Sequence, residues 1–184
     1  GEMKTTLVEP TSRTIHVGKV DLLVVPPPGF VDWGQNDNSI GLIVQFGKFR
    51  AMLAGDAELG EWGWWGEHHS SMMQPVTLMK ASHHGSANGD TLAALSLLKP
   101  ELIIVSAGKG NAYGHPSSDM LRMLESLGIR TCRTDVAGSV KVVAFESGRM
   151  VVSPSCSAAV GYIGARSLQI GPLVEASGVT NSSF

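Results

Sequence analysis

Short aliphatic segments separated by stretches rich in glycine and proline restrict the fold of this chain more than any other feature. Segments of this length, rich in β-branched residues and bounded by turn residues, are typical of strands. A hairpin turn is expected at Gly47-Lys48. The predicted strands lie within 14–25, 40–54, 76–82, 101–108, 129–134 and 139–145. The later strands alternate with helical patterns, so the sequence predicts an α/β (α+β) domain.

Two segments carry a helical pattern with recognisable ends. Residues 90–98 begin at Asp90, a predicted N-cap, and the helix is expected to end at Lys99-Pro100. The pattern of residues 117–128 predicts a second helix. Its expected N-cap is Ser117 or Ser118, and its expected end is Gly128.

Two other segments are predicted to be irregular. Residues 26–39 open with three prolines, which remove backbone donors and fix φ, so this stretch is expected to be a loop rather than a helix. Residues 57–74 carry glycines at 60, 63 and 66 that interrupt a helix, so we expect one helical turn at most. Its tryptophans, Trp62, Trp64 and Trp65, suit either packing on the core or an exposed contact surface.

Composition bounds the kind of protein. A length of 184 residues with 43% hydrophobic content is enough for one folded domain, expected over 1–152, followed by a tail or appended segment over 153–184. A net charge of −2 gives no overall basic field, so any nucleic-acid contact has to be local. No apolar run reaches the roughly 18 residues of a membrane span, and a cytoplasmic location is expected.

The two cysteines, Cys132 and Cys156, lie in no metal-binding spacing. One pair is too little to indicate an oxidising compartment, so both are expected to be reduced.

Polar side chains with catalytic chemistry follow four of the predicted strands. Asp56, the pair His83-His84, His115 and Asp135 each come after an aliphatic segment. In α/β folds ligands gather where strands end, so these side chains form a plausible set for zinc, manganese or iron. The ordinary alternatives are a turn aspartate and solvated loop histidines. A second pair, His68-His69, follows no strand and is a weaker candidate.

The motifs within 36–58, 78–86 and 111–142 together resemble the C-terminal half of the metallo-β-lactamase superfamily. The resemblance is strongest to the hydrolase domain of the ComEC/Rec2 DNA-uptake proteins and extends over about 18–145. It implies half of an αββα sandwich, with a mixed sheet and helices on one face. It also implies a metal-dependent hydrolase, phosphodiesterase-like or nuclease-like, that uses Zn²⁺ or Mn²⁺.

The same resemblance implies roles for individual residues. Asp56 matches a metal-bridging aspartate and His84 the last histidine ligand. His83 matches a neighbour that contacts substrate, and His115 a residue near the bound phosphate. Asn38 and Ser39 match a loop shared by the subfamily and are candidate substrate-binding residues. The catalytic candidates are therefore Asp56, His83, His84 and His115.

The chain departs from the family pattern at one decisive point. The HxHxDH stretch that supplies most of the first metal site is absent, which leaves two protein ligands where a zinc site normally has three or four. Three explanations stand open: a fragment of a longer enzyme whose N-terminal half is missing, a homodimer that pairs two half-sites, or a non-catalytic interaction module. A phosphate-containing substrate or nucleic acid is the expected partner of an active form.

Overall fold

The computed structural model describes residues 11–29 and 34–156, and the seven-stranded mixed sheet within them accounts for most of the fold. Strands β1 to β4 are antiparallel neighbours, and β4 to β7 are parallel neighbours. A separate hairpin pairs β8 with β9. The strands are β1 Arg13–Val17, β2 Val20–Val25, β3 Gly41–Phe46, β4 Phe49–Leu53, β5 Leu78–Lys80, β6 Leu102–Val105, β7 Arg130–Arg133, β8 Lys141–Ala144 and β9 Met150–Ser153. All six predicted strand regions are confirmed.

Three helices serve as crossovers between the parallel strands: α1 Leu59–His68, α2 Leu92–Leu98 and α3 Ser118–Ser126. Parallel strands require such long connections, and a helix is the usual one. A short fourth helix, α4 Thr134–Ala137, follows β7 and precedes the separate hairpin. Two short 3₁₀ turns, Asn36–Asn38 and Ser82–Gly85, complete the described elements.

The hydrophobic core lies between the first three helices and one face of the sheet. Successive strands place Ile43, Met52, Met79 and Ile103 in one aligned row, each completely buried. These side chains belong to one cluster with the helical residues Trp65, Leu95, Leu98, Met120 and Leu124. The expected mixed sheet is therefore confirmed, and three of the four helices of the described chain share its core cluster.

The opposite face of the sheet is less well covered within the described residues. Alternation along each strand directs a second set of aliphatic side chains to that face. Several of them are only partly buried: Leu22, Leu42, Val44, Leu53, Leu78 and Ile104. The sheet therefore presents an apolar face that further packing could cover.

The prediction of an irregular segment at 57–74 is wrong, because α1 spans ten of those residues. Trp62 and Trp65 both enter the core, where their rings meet edge to face at 5.1 Å. The Trp65 indole N–H also donates to the carbonyl of Pro26 at 2.8 Å. Tertiary packing of these two rings outweighs the helix-weakening glycines. The third, Trp64, is partly buried and stacks on His68.

Two local predictions also need correction. The N-cap of α2 is Thr91, whose hydroxyl accepts from the Ala94 amide at 3.0 Å, whereas Asp90 turns inward and is buried. The loop 26–39 contains the 3₁₀ turn Asn36–Asn38. This turn lies after the prolines, so their fixed φ and missing N–H groups do not prevent it. The cap of α3 by Ser117 is confirmed, since its hydroxyl accepts from the Met120 amide.

The expectation that both cysteines are reduced is wrong. Cys132 on β7 and Cys156 form a disulfide, with Cα atoms 5.2 Å apart. The hairpin of β8 and β9 returns the chain to β7, which brings together two cysteines that sequence spacing alone does not connect. The predicted tail 153–184 lies outside the described residues from 157 onward. No helix of the described chain is long and apolar enough to span a membrane.

Alanine substitutions of glycine test the presence of α1. A Cβ at Gly63 or Gly66 meets nothing within 4 Å, so Gly63→Ala and Gly66→Ala should each raise the free energy of unfolding by about 0.5–1 kcal/mol. Gly41→Ala is the control with the opposite expected effect, because its Cβ would lie 3.0 Å from the Trp65 ring. This overpacking should lower the free energy of unfolding by about 1–3 kcal/mol. Urea unfolding measures all three. A loss of stability in both helix variants would contradict the helix.

Candidate functional site

Asp56 follows β4 directly and is held against the preceding loop. Its backbone amide donates to the hydroxyl of Ser39 at 3.2 Å, and that hydroxyl donates to the carbonyl of Asn36 at 2.9 Å. Gly55 has φ +62°, and a Cβ there would lie 3.2 Å from Ser39. Ser39 thus positions the backbone of Asp56, while the carboxylate stays accessible, with its side chain 43% exposed.

The two adjacent histidines occupy an unusual turn after β5. His83, His84 and Gly85 all have positive φ, at 41°, 55° and 79°. Left-handed backbone is strained for residues with a Cβ and tends to occur at functional sites. Gly85 tolerates no side chain, since a Cβ would lie 2.9 Å from Pro116.

Three sets of hydrogen bonds hold this turn in place. The buried carboxylate of Asp90 accepts from the Ser82 amide with both oxygens, each at 3.2 Å. The His83 amide donates to the carbonyl of Gly55 at 3.2 Å, and the Ser117 amide donates to the carbonyl of Gly85 at 2.9 Å. The turn is therefore tied to the loop of Asp56 on one side and to the start of α3 on the other.

The two ring nitrogens of His84 face different partners. Its Nδ1 lies 2.7 Å from the carbonyl of Ser106, so Nδ1–H donates there and Nε2 is the ring nitrogen that remains for another contact. Nε2 faces the Asp56 carboxylate at 3.7 Å. A backbone carbonyl on the second ring nitrogen is the usual arrangement for ligating histidines.

His83 points to a different carboxylate. Its Nδ1 lies 2.9 Å from Glu58 Oε1, a close contact that does not form a hydrogen bond. The same oxygen accepts from the side-chain amide of Asn36 at 2.8 Å. Glu58 therefore joins His83 to the loop that also holds Ser39.

His115 lies next to His83, with ring centroids 5.5 Å apart. Asn111 holds its backbone, because the Asn111 side chain accepts from the His115 amide and donates to its carbonyl. Burial, followed by the charges of His83 and His84, lowers the pKa of His115, and Asp56 opposes this shift. A neutral His115 ring is favoured beside the other two imidazoles.

The other candidates from the sequence have partners outside this cluster. The Asn38 side chain donates to the carbonyl of Gly34, within its own loop. Asp135 forms two hydrogen bonds with Arg133, which lower the pKa of its carboxyl group. His68 stacks on Trp64.

Sequence reasoning missed four carboxylates that support the cluster. Glu58 contacts His83, and Asp90 holds the turn. Asp37 Oδ1 accepts from the amides of Glu58 and Glu61, both at 3.1 Å, and so caps the first turn of α1 from another loop. Glu61 is completely buried and accepts from the Ser39 amide at 3.0 Å. Glu58, Glu61 and Asp90 lie near Asp56 or the histidine pair in the sequence, which is a weak signal, whereas Asp37 gives none.

The donor set fits a metal ion only in part. Asp56 and His84 are close enough to share one ion, and both donor types suit zinc or manganese. Among residues 11–29 and 34–156 no group of three His, Cys, Asp or Glu side chains is arranged to hold a metal. By themselves, the described residues therefore do not form a complete metal site.

The geometry defines a mixed α/β domain with a histidine and carboxylate cluster at the ends of its parallel strands. No family model matches the chain. The chain does match three competence proteins. It is 32% identical over 110 residues to ComE operon protein 3 of Bacillus subtilis. It is 25% identical over 134 residues to Recombination protein 2 of Haemophilus influenzae, and 28% identical over 123 residues to Competence protein ComA of Neisseria gonorrhoeae.

These matches cover 58%, 73% and 66% of this chain, respectively. They cover 14%, 16% and 18% of the relatives' own lengths, so the chain spans less than a fifth of each. The chain is therefore distantly homologous, over part of its length, to the ComEC/Rec2 group of competence proteins.

Buried Glu61 makes stability depend on pH. Burial, together with the charge of Asp37, raises its pKa from 4.5 to about 8, although the Ser39 amide opposes the shift. Between those values the folded chain keeps a proton that the unfolded chain has lost, so the free energy of unfolding falls as pH rises. Buried Asp90, with its pKa raised from 3.8 to about 7, acts in the same direction.

We therefore expect the melting temperature to fall between pH 5 and pH 8, and Glu61→Gln should reduce that slope because the amide does not titrate. Glu67→Gln, on an exposed position of the same helix, is the control and should leave the slope unchanged. Calorimetry at several pH values between pH 5 and pH 8 measures how the melting temperature of each variant depends on pH. Equal slopes in the parent and Glu61→Gln would refute a protonated Glu61.

Proposed function

We propose that this chain carries the C-terminal half of a metal-dependent phosphodiester hydrolase domain of the metallo-β-lactamase type. The observation that carries the proposal is the convergence of Asp56, His83, His84 and His115, from three separate strand ends, around one left-handed turn. The homology to competence proteins supports a role on nucleic acid.

Each residue has a distinct part in this proposal. Asp56 and His84 are the metal ligands, with Zn²⁺ or Mn²⁺ as the ion. His83 and His115 face the phosphate, and Ser39 holds the Asp56 loop in place. When bound, the ion would supply positive charge for an anionic phosphodiester and lower the pKa of a bound water.

The remaining ligands come from outside the described residues. The aliphatic face opposite the helices supports this proposal, because it suits a further layer of structure, as in an αββα sandwich. A second copy of the chain or another segment of a longer protein could supply both that layer and the missing ligands.

Zinc titration calorimetry of the metal-free chain tests the ligand assignment. Asp56→Asn and His84→Ala should each weaken zinc binding at least about tenfold, because losing even an outer partner of a metal ligand costs 10–100-fold. His16→Ala is the matched control, since His16 also lies beside a carboxylate, Asp21, at 2.7 Å, but on the exposed first hairpin. Equal zinc affinity in Asp56→Asn and the parent would refute the proposal.

Hydrolysis of bis(p-nitrophenyl) phosphate with Zn²⁺ or Mn²⁺ then distinguishes the source of the missing ligands. Metal-dependent turnover that is lost in Asp56→Asn would point to a second copy. Zinc binding without turnover would point to another segment of a longer protein.

A non-catalytic interaction module is the alternative, and the same half-covered face of the sheet favours it. This function requires a stable homodimer in the absence of metal. Light scattering of the metal-free chain tests it, and a monomer that gains metal-dependent turnover would exclude it.

A further inference from the structure

An open groove adjoins the proposed site, and Tyr113, one of its lining residues, has no role assigned above. It encloses about 430 Å³ and is lined by His84, the backbone from Ser106 to Gly108, Asn111, Tyr113 and His115. The proposed metal ligand His84 therefore lies at the inner end of the groove. The aromatic ring of Tyr113 lies at its outer end.

Tyr113 at the outer end is 83% exposed and makes no contribution to the core. Its ring stacks on His115, with centroids 5.9 Å apart and planes 15° from parallel. His115 in turn meets His83 edge-on at 5.5 Å. Three rings thus form a continuous path from the histidine cluster to the rim of the groove.

The loop that carries Tyr113 and His115 is held by side-chain hydrogen bonds and is locally basic. The Asn111 side chain bonds to both backbone groups of His115 and also donates to the carbonyl of Gly108 at 2.9 Å. Between Ser106 and Ser117 the sole Lys, Arg, Asp or Glu is Lys109. An exposed aromatic ring on a loop whose one charged side chain is a lysine suits a flat, uncharged ring attached to an anionic backbone.

We propose that Tyr113 and His115 form a stacking platform for one base of a single-stranded nucleic acid whose phosphate lies at the histidine cluster. The inference rests on the proposed function for the position of the phosphate. Aromatic side chains that bind single strands stack on bases in this way, and every base has a suitable face. A paired base inside a duplex is already stacked, so the platform selects unpaired strands.

The test compares two single-stranded DNA oligomers of equal charge, one with 2-aminopurine at a central position and one with abasic sites throughout. Stacking quenches 2-aminopurine fluorescence, so the parent chain should quench it. Tyr113→Ala should abolish the quenching and weaken binding of the base-containing strand about 5- to 100-fold, the effect of one lost stacked base. The abasic strand should bind the parent and Tyr113→Ala equally.

Two further variants sharpen the result. Tyr113→Phe keeps the ring and should restore both quenching and affinity. Leu97→Ala removes an exposed apolar side chain on α2, away from the groove, and should change neither.

Unchanged quenching and affinity in Tyr113→Ala would overturn the platform, and retained binding of the abasic strand would leave the phosphate site standing. A duplex that binds and quenches as well as the single strand would also overturn it. If the parent binds neither strand, the platform fails, and zinc affinity at Asp56 and His84 decides the proposed function separately.

Discussion

The left-handed turn at His83, His84 and Gly85 is the constraint on which the arrangement of this site depends. Left-handed angles cost roughly 1–2 kcal/mol for each residue that has a Cβ, so two histidines in this conformation need compensation. Buried Asp90 contributes through its hydrogen bonds to the Ser82 amide, and the carbonyls of Gly55 and Gly85 contribute through theirs to the amides of His83 and Ser117. Because of this turn, His84 faces Asp56 while His83 faces Glu58.

The parallel half of the sheet explains why these groups meet. Strands β4, β5 and β6 run side by side, so the loops that follow them lie at one edge. Asp56, the histidine pair and Ser106 come from those three loops. The helices cover one face of the same sheet, and the opposite face keeps partly exposed aliphatic side chains. Within residues 11–29 and 34–156, the cluster thus lies at one edge of the sheet, beside a sheet face that is less well covered.

The strands and the cluster were predictable because their signals are local. An aliphatic run followed at once by Asp56 or by His83-His84 indicates both a strand and the position of its end. Helix α1 was not predictable, because its glycines lower local propensity and only the burial of Trp62 and Trp65 compensates. The disulfide escaped prediction for a similar reason, since it depends on the path of the last hairpin.

The supporting carboxylates were the hardest part to predict. Asp37 and Glu58 act across 21 residues of sequence, and Asp90 acts on Ser82 from eight residues away. No spacing rule connects such pairs, so only the folded chain shows that acidic residues hold the histidine loop. The roles of Asn38, Ser39, His83 and His115 toward substrate remain predictions.

An anomalous-scattering map from a zinc-soaked crystal of this chain, recorded at the zinc edge, tests the central claim most directly. The account predicts a zinc peak bonded to the Asp56 carboxylate and to His84 Nε2, with further ligands from outside the described residues. A peak at His16 and Asp21 or at His68 and His69, with none at Asp56 and His84, would contradict it.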